Sequence, residues 1–306
     1  MGDYYNSILK KIDGFNYTPQ NFCELNKRTA DSNSAGNFHA RIRNSYSNYF
    51  ATADPLTIAR YGIRYYRSKK LIYSSAQMRE EAKISKTRGL LVSYHFLMYY
   101  ALLHAMQSCL ILSTDMDDEK VLDLSHTKIR IYFKNYFSDV QCCPMDNDII
   151  ILFDKLRQLR EYFSYAMPFN VCDRAVISED TVDHYLKACY QLNNLMLCIL
   201  NTLRHSVSYD HSDYNKLKQY FMHSCNRLEG NELPDDADYF FWKEFRDNGG
   251  TDMLPLSDAY SHDFDEYGMY DFSYYEKSGI DRLSSSFIIS KTLSAVCDAV
   301  NLRSVW

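Results

Sequence analysis

The chain is expected to be all-α, an antiparallel helical bundle with additional helical N- and C-terminal regions. Three observations lead there. Gly and Pro number only 10 and 6 in 306 residues, too few for the turns that a β-sandwich or barrel needs. Between residues 87 and 205, apolar side chains recur at three- and four-residue intervals in four long stretches, the spacing of one helix face. The joints between these stretches are short or of medium length, which favours antiparallel neighbours. With 46% hydrophobic residues the chain can bury a substantial core.

The elements follow in order. Residues 1–45 are mixed, and the polar stretch Thr29–Asn37 reads as a flexible loop. Asp54-Pro55 supplies a cap and a first-turn proline for a helix carrying Leu56, Ile58, Ala59 and Ile63, with a second helical stretch from Leu71 to Met78. Thr87 to about Thr114 is apolar nearly all round, as a helix surrounded by other helices should be. Ile129, Tyr132, Phe133 and Tyr136 form a helical stripe over Thr127–Phe137. Ile149, Leu152, Phe153, Leu156, Leu159 and Phe163 form another over Asp146–Tyr165, closed by Pro168. Ser178-Glu179-Asp180 begins a long amphipathic helix that ends near His205. Beyond it, Tyr214–Leu228 and Ser284–Leu302 are helical in pattern, and Leu254–Tyr275 is acidic and aromatic without a clear period. The resulting division is 1–86 (basic and aromatic), 87–205 (the bundle) and 206–306 (acidic, mostly helical).

Charge is unevenly spread although the net value is only −5. Arg41 to Arg88 holds eleven Lys/Arg against three Asp/Glu, whereas Glu229 to Asp281 holds fifteen acids against three bases. Such asymmetry suits a part that faces nucleic acid and an acidic part that shields it or docks a partner; ordinary solvated faces give the same counts. Within the basic part, Arg60, Arg64, Arg67, Lys69 and Lys70 alternate with Tyr61, Tyr65 and Tyr66. A helix would align Arg60, Arg64 and Arg67, and such a surface pairs with phosphates and stacks on unpaired bases of RNA. The nine cysteines include no CxxC pair and the start lacks an apolar leader, which reads as a cytoplasmic protein with reduced thiols. The apolar run Phe96–Leu112, broken by His104, Gln107 and Ser108, is too short and too polar for a membrane span.

Several chemistries are disfavoured. His223, Cys225, His262 and Asp263 lack a second ligand pair at metal-site spacing, and Gly249-Gly250 is not followed by Lys-Ser/Thr. No metal site and no cofactor are therefore expected. Three ordered blocks remain: Tyr99-Tyr100-Ala101-Leu102-Leu103-His104-Ala105, then His126 ahead of Ile129, Ile131 and Phe133, then Arg160-Glu161-Tyr162-Phe163-Ser164-Tyr165.

These blocks together resemble the HEPN superfamily, small helical domains that in prokaryotes are often RNA-cutting toxins or defence effectors. The resemblance covers residues 87–205. It implies a four-helix core, a homodimer, and metal-independent endoribonuclease chemistry in which the RNA 2′-hydroxyl attacks the adjacent phosphate. In that family a histidine transfers protons and an arginine a few residues before it steadies the phosphorane. Arg160 matches the arginine, but Tyr165 stands where the histidine would be. Arg160, Glu161 and Tyr165 are thus the catalytic candidates. Tyrosine, with an ordinary pKa of about 10, is a poor base at neutral pH.

Secondary candidates are His126 and the spaced pair Arg204 and His211. Arg88 and His95 have the same spacing, but His95 adjoins an apolar run and reads as a core group. The partners implied are RNA, a second copy of the chain, and an antitoxin or defence-complex protein. The missing histidine points equally to a non-catalytic HEPN-like interaction module that scaffolds a partner.

Overall fold

A computed structural model describes residues 3–12, 19–138, 143–166, 177–203, 213–224, 295–296 and 298–300. The acidic-aromatic run, Pro168, Arg204 and His211 lie outside the described residues. The chain is all-α, with no β-strand among the described residues. In order the helices are α1 (Tyr4–Leu9), α2 (Cys23–Arg28), α3 (Ser32–Thr52), α4 (Pro55–Thr87), α5 (Leu91–Leu112), α6 (Asp118–Leu122), α7 (His126–Phe133), α8 (Asp148–Glu161), α9 (Glu179–Asn201) and α10 (Tyr214–Ser224). Five-residue π-helical turns, Lys134–Ser138 and Tyr162–Ala166, extend α7 and α8.

Local chemistry accounts for the boundaries. The Thr29–Asn37 stretch expected as a loop is corrected, because Asp31 caps α3 by accepting the Ser34 amide at 2.7 Å. Its polar run is a helix start rather than a break. Asp54 caps α4 in the same way, through the Thr57 amide at 3.0 Å, with Pro55 at the first position. α4 then continues unbroken for 33 residues. It stops at Gly89, where φ is +70°. The Leu90 amide bonds the Ser85 carbonyl at 2.8 Å and the Gly89 amide bonds that of Lys86 at 3.0 Å, a Schellman closure. The helix expected from Thr87 consequently starts at Leu91.

α4 and α5 form an antiparallel hairpin held by small residues that recur every seventh position. Ser68, Ser75 and Ala82 are all buried. The Ser68 hydroxyl donates to the Ser108 carbonyl at 2.8 Å, and that of Ser75 to the Ala101 carbonyl at 2.6 Å. From the far side, Asn193 of α9 donates to Ser68 at 2.7 Å and Tyr190 meets Ser75 at 2.8 Å. α5 is long and apolar enough to cross a membrane by length and composition; here it contacts α4, α7, α8 and α9. One connected core runs from Tyr5 and Phe22 through Tyr99 and Phe153 to Ile199 and Val300, so buried residues on both sides of position 86 share it.

Candidate anion-binding site on the central helix

Two of the five residues expected on a phosphate-contacting face of α4, Arg64 and Lys69, are buried. Arg64 is 1% exposed. Its Nε donates to the Ile111 carbonyl at 2.9 Å, Nη1 to Met116 at 2.9 Å and Nη2 to Ser113 at 2.7 Å. A helix C-terminus leaves carbonyls without amide partners, and a cation there satisfies them. Arg64, with the Tyr46 and Tyr61 hydroxyls on the Leu112 carbonyl, closes the end of α5. The expectation that Arg64 contacts phosphate is therefore corrected.

Lys69 is also buried, over the Tyr65 ring at 5.1 Å, which corrects its placement as well. Arg60 lies 3.5 Å from Asp118 and faces the Tyr220 ring. Arg67 donates to the Val121 carbonyl at 3.3 Å, and Lys70 faces the Tyr66 ring at 5.8 Å. The alternating tyrosines turn this helix face inward, burying Arg64 and Lys69 and leaving Arg60, Arg67 and Lys70 half-buried.

A second set of polar groups gathers around Tyr99, a buried residue of α5. Its hydroxyl meets Nδ1 of His126, the first residue of α7, at 3.1 Å. Ser125 caps α7 by accepting the Lys128 amide at 3.4 Å, which sets His126 at the helix start. On the other side of Tyr99, the Arg160 guanidinium of α8 lies 5.2 Å from the ring centroid. Tyr100 stands edge-on to both His126 (5.6 Å) and His104 (6.1 Å). His104 meets the Ser74 hydroxyl at 3.0 Å, so α4 rather than the neighbouring turn of α5 satisfies it. His95 stacks on Phe163 at 4.2 Å and serves the core.

The π-helical turn matters for Tyr165. In an α-helix, residues five apart point about 140° away from each other, whereas an i to i+5 ladder brings them to one side. Across the turn Tyr162–Ala166, Arg160 Nη1 donates to the Tyr165 hydroxyl at 3.3 Å. Tyr165 is 76% exposed, so its ring forms the outer wall of the cluster. Glu161 points to solvent and makes no ion pair with Arg160 among the described residues.

Electrostatically the cluster is all cation and donor. Nε of Arg157 and of Arg160 are both buried and carry no hydrogen bond among the described residues. Arg28 Nε and Arg79 Nη1 are buried and unbonded among the described residues too, but Arg28, Arg79 and Arg130 each meet a carboxylate. Burial, then the charges of Arg160 and Arg157, holds the His126 imidazole below its ordinary range. Burial lifts the Tyr99 phenol to about 12, against the opposing pull of Arg160, so it stays protonated. Burial, with the charges of His126 and Arg67, lowers His104 to about 4. Guanidiniums without a carboxylate partner among the described residues, beside a neutral imidazole, are the ingredients of an anion site. No cluster of metal-ligating side chains occurs among the described residues.

No protein-family model, curated protein or solved structure matches the chain.

The sequence points to Arg160, Glu161 and Tyr165 as one block and to His126 separately, and the fold brings Arg160, Tyr165 and His126 around Tyr99 while Glu161 turns outward. Sequence reasoning missed Arg157 and Tyr99. The signal for Arg157 was available in its three-residue spacing from Arg160, which puts both on one face of α8. Tyr99 lay inside a block read as family signature, with nothing in the pattern to connect it to His126.

Proposed function

We propose that this chain is an RNA-directed effector of the HEPN type, acting in a prokaryotic toxin or antiviral defence system as a metal-independent endoribonuclease. The single observation that supports it is the convergence of Arg160 and His126 on Tyr99. The imidazole absent from position 165 is thereby available from α7. In this reading, Arg157 and Arg160 hold the phosphodiester and oppose charge on the phosphorane formed by 2′-hydroxyl attack. His126 offers its imidazole to the same phosphate as a hydrogen-bond donor, the 2′-hydroxyl proton passing to water as the 5′-oxygen leaves, and Tyr165 offers an exposed ring for an unpaired base. The protein works in the cytoplasm as a homodimer, held in check by an antitoxin or defence-complex partner.

The test is induced expression in bacteria of the wild-type chain beside Arg160→Ala, with total RNA examined for fragments. Fragments that vanish in the variant and form in vitro in the presence of EDTA are the expected result. Intact RNA with wild type, in cells and with purified protein, would reject cleavage. A second reading has its own support: Tyr165 in place of histidine, with Arg64 and Lys69 buried, favours a non-catalytic module whose unpaired arginines receive an acidic partner protein.

A further inference from the structure

We infer that Tyr99 is a positioning residue that locks His126 in the tautomer carrying its proton on Nε2, so that His126 meets a phosphodiester as a hydrogen-bond donor and not as a base. The inference rests on the proposed function for the nature of the ligand, but not for the tautomer.

The geometry is a question of where one phenolic proton goes. Tyr99 is fully buried, so its hydroxyl cannot turn to water, and a buried donor left unmade is costly. The groups around it are Phe153, Arg157 and Arg160 of α8, Tyr100 of α5, and His126 of α7. Arginine has no acceptor atom. The acceptor that meets the Tyr99 hydroxyl is His126 Nδ1, at 3.1 Å. If Nδ1 carried the proton, the phenol would have no acceptor within hydrogen-bond distance among the described residues; with the phenol donating, Nδ1 is the acceptor and Nε2 bears the hydrogen. A neutral imidazole has one donor and one acceptor nitrogen, and the partner on one decides the other.

The consequence extends through the site. His126 Nε2–H, the guanidiniums of Arg157 and Arg160 and the Tyr165 hydroxyl all donate, and a phosphate oxygen is the ligand that accepts from every one. The phenol's high pKa keeps the lock in place at neutral pH. Charging His126 would give Nδ1 a second proton and reverse the Tyr99 bond, a step that Arg157 and Arg160 oppose.

The experiment is nitrogen NMR of the full chain labelled in its histidines, with His126 assigned from the His126→Gln variant. In wild type at neutral pH, His126 should show an acceptor-type Nδ1 and a protonated Nε2. In Tyr99→Phe, checked for an unchanged melt, the two tautomers should mix. A single-stranded RNA oligonucleotide provides the second readout. Affinity should fall about tenfold or more in His126→Ala and recover in His126→Gln, because the glutamine amide donates but cannot act as a base. A protonated Nδ1 in wild type, or an unchanged tautomer in Tyr99→Phe, overturns the inference. Equal affinities for His126→Ala and His126→Gln overturn the donor role. An oligonucleotide that fails to bind wild type rejects the RNA reading instead, and the NMR result still decides the role of Tyr99.

Discussion

Replacing Arg64 with methionine tests whether the basic stretch of α4 is structural. Methionine keeps an unbranched apolar stem of similar reach and removes all three donors. Those donors bond Ile111, Ser113 and Met116 at 2.7 to 2.9 Å. Hydrogen bonds to a charged group contribute ~1.5–3 kcal/mol each, so the gross loss is about 5–9 kcal/mol. Two effects offset it. The variant no longer desolvates a guanidinium, and Tyr46 and Tyr61 still serve the Leu112 carbonyl. The expected net loss is about 3–5 kcal/mol, the range seen when one partner of a buried charged pair is removed.

Urea unfolding followed by circular dichroism measures this directly, with an unchanged slope required for the comparison. The salt dependence of RNA-oligonucleotide affinity provides the converse. Each lost phosphate contact on a single strand lowers the slope of log K against log salt by about 0.7, and Arg64→Met should leave that slope alone. A variant destabilised by less than about 1 kcal/mol that also lost salt dependence would refute the reasoning.

Two further outcomes follow from buried groups and one turn. Burial holds His95 at about 4, and burial with neighbouring charge does the same for His104. Both are neutral in the fold and protonate first in the unfolded chain, so their contribution is complete above about pH 6.5 and is lost as pH falls towards about 4. Thermal melts across that window should show a falling Tm, less steeply in His95→Phe; identical pH profiles for the two proteins would exclude His95 as a source. At Gly89, φ is +70° and an added Cβ meets nothing within 4 Å. Gly89→Ala should therefore lose only the backbone cost, about 1–2 kcal/mol, and Gly89→Asn less; calorimetry showing no change in either would remove the left-handed turn as a constraint.

The helices were legible where one face dominated. Ile149, Leu152, Phe153 and Leu156 predict α8 within two residues at its start, and Asp54-Pro55 predicts the start of α4 to the residue. Legibility failed where the discriminating physics is tertiary. Asp31-Ser32-Asn33-Ser34 contains loop residues and cap residues at once, and only the Asp31–Ser34 bond decides between them. Arg60, Arg64 and Arg67 share a face, as the spacing predicts, but a spacing cannot reveal that Arg64 meets the end of α5 while Arg60 and Arg67 meet α6. The π-helical turn that brings Tyr165 back over Arg160 leaves no periodic trace in five residues. The site was legible as three separate blocks, while its connection through Tyr99 exists only after α5, α7 and α8 have packed.

The exposed and the buried arginines differ in a way that constrains either functional reading. The chain has 39 acidic residues, and it uses them on Arg28, Arg79 and Arg130, the last held by both oxygens of Asp154 at 2.6 to 3.0 Å. Around Tyr99, two guanidiniums with no carboxylate partner among the described residues stand beside an imidazole whose protonation they disfavour. Placing Asp or Glu nearby would relieve that strain, and Glu161, adjacent in sequence, turns to solvent instead. Among the described residues no carboxylate meets Arg157 or Arg160, an arrangement suited to an anionic partner. That partner is an anion in both readings, so loss of binding on Arg160→Ala would leave nuclease and module undivided. Only the fate of the RNA separates them, since a module leaves its phosphodiesters intact.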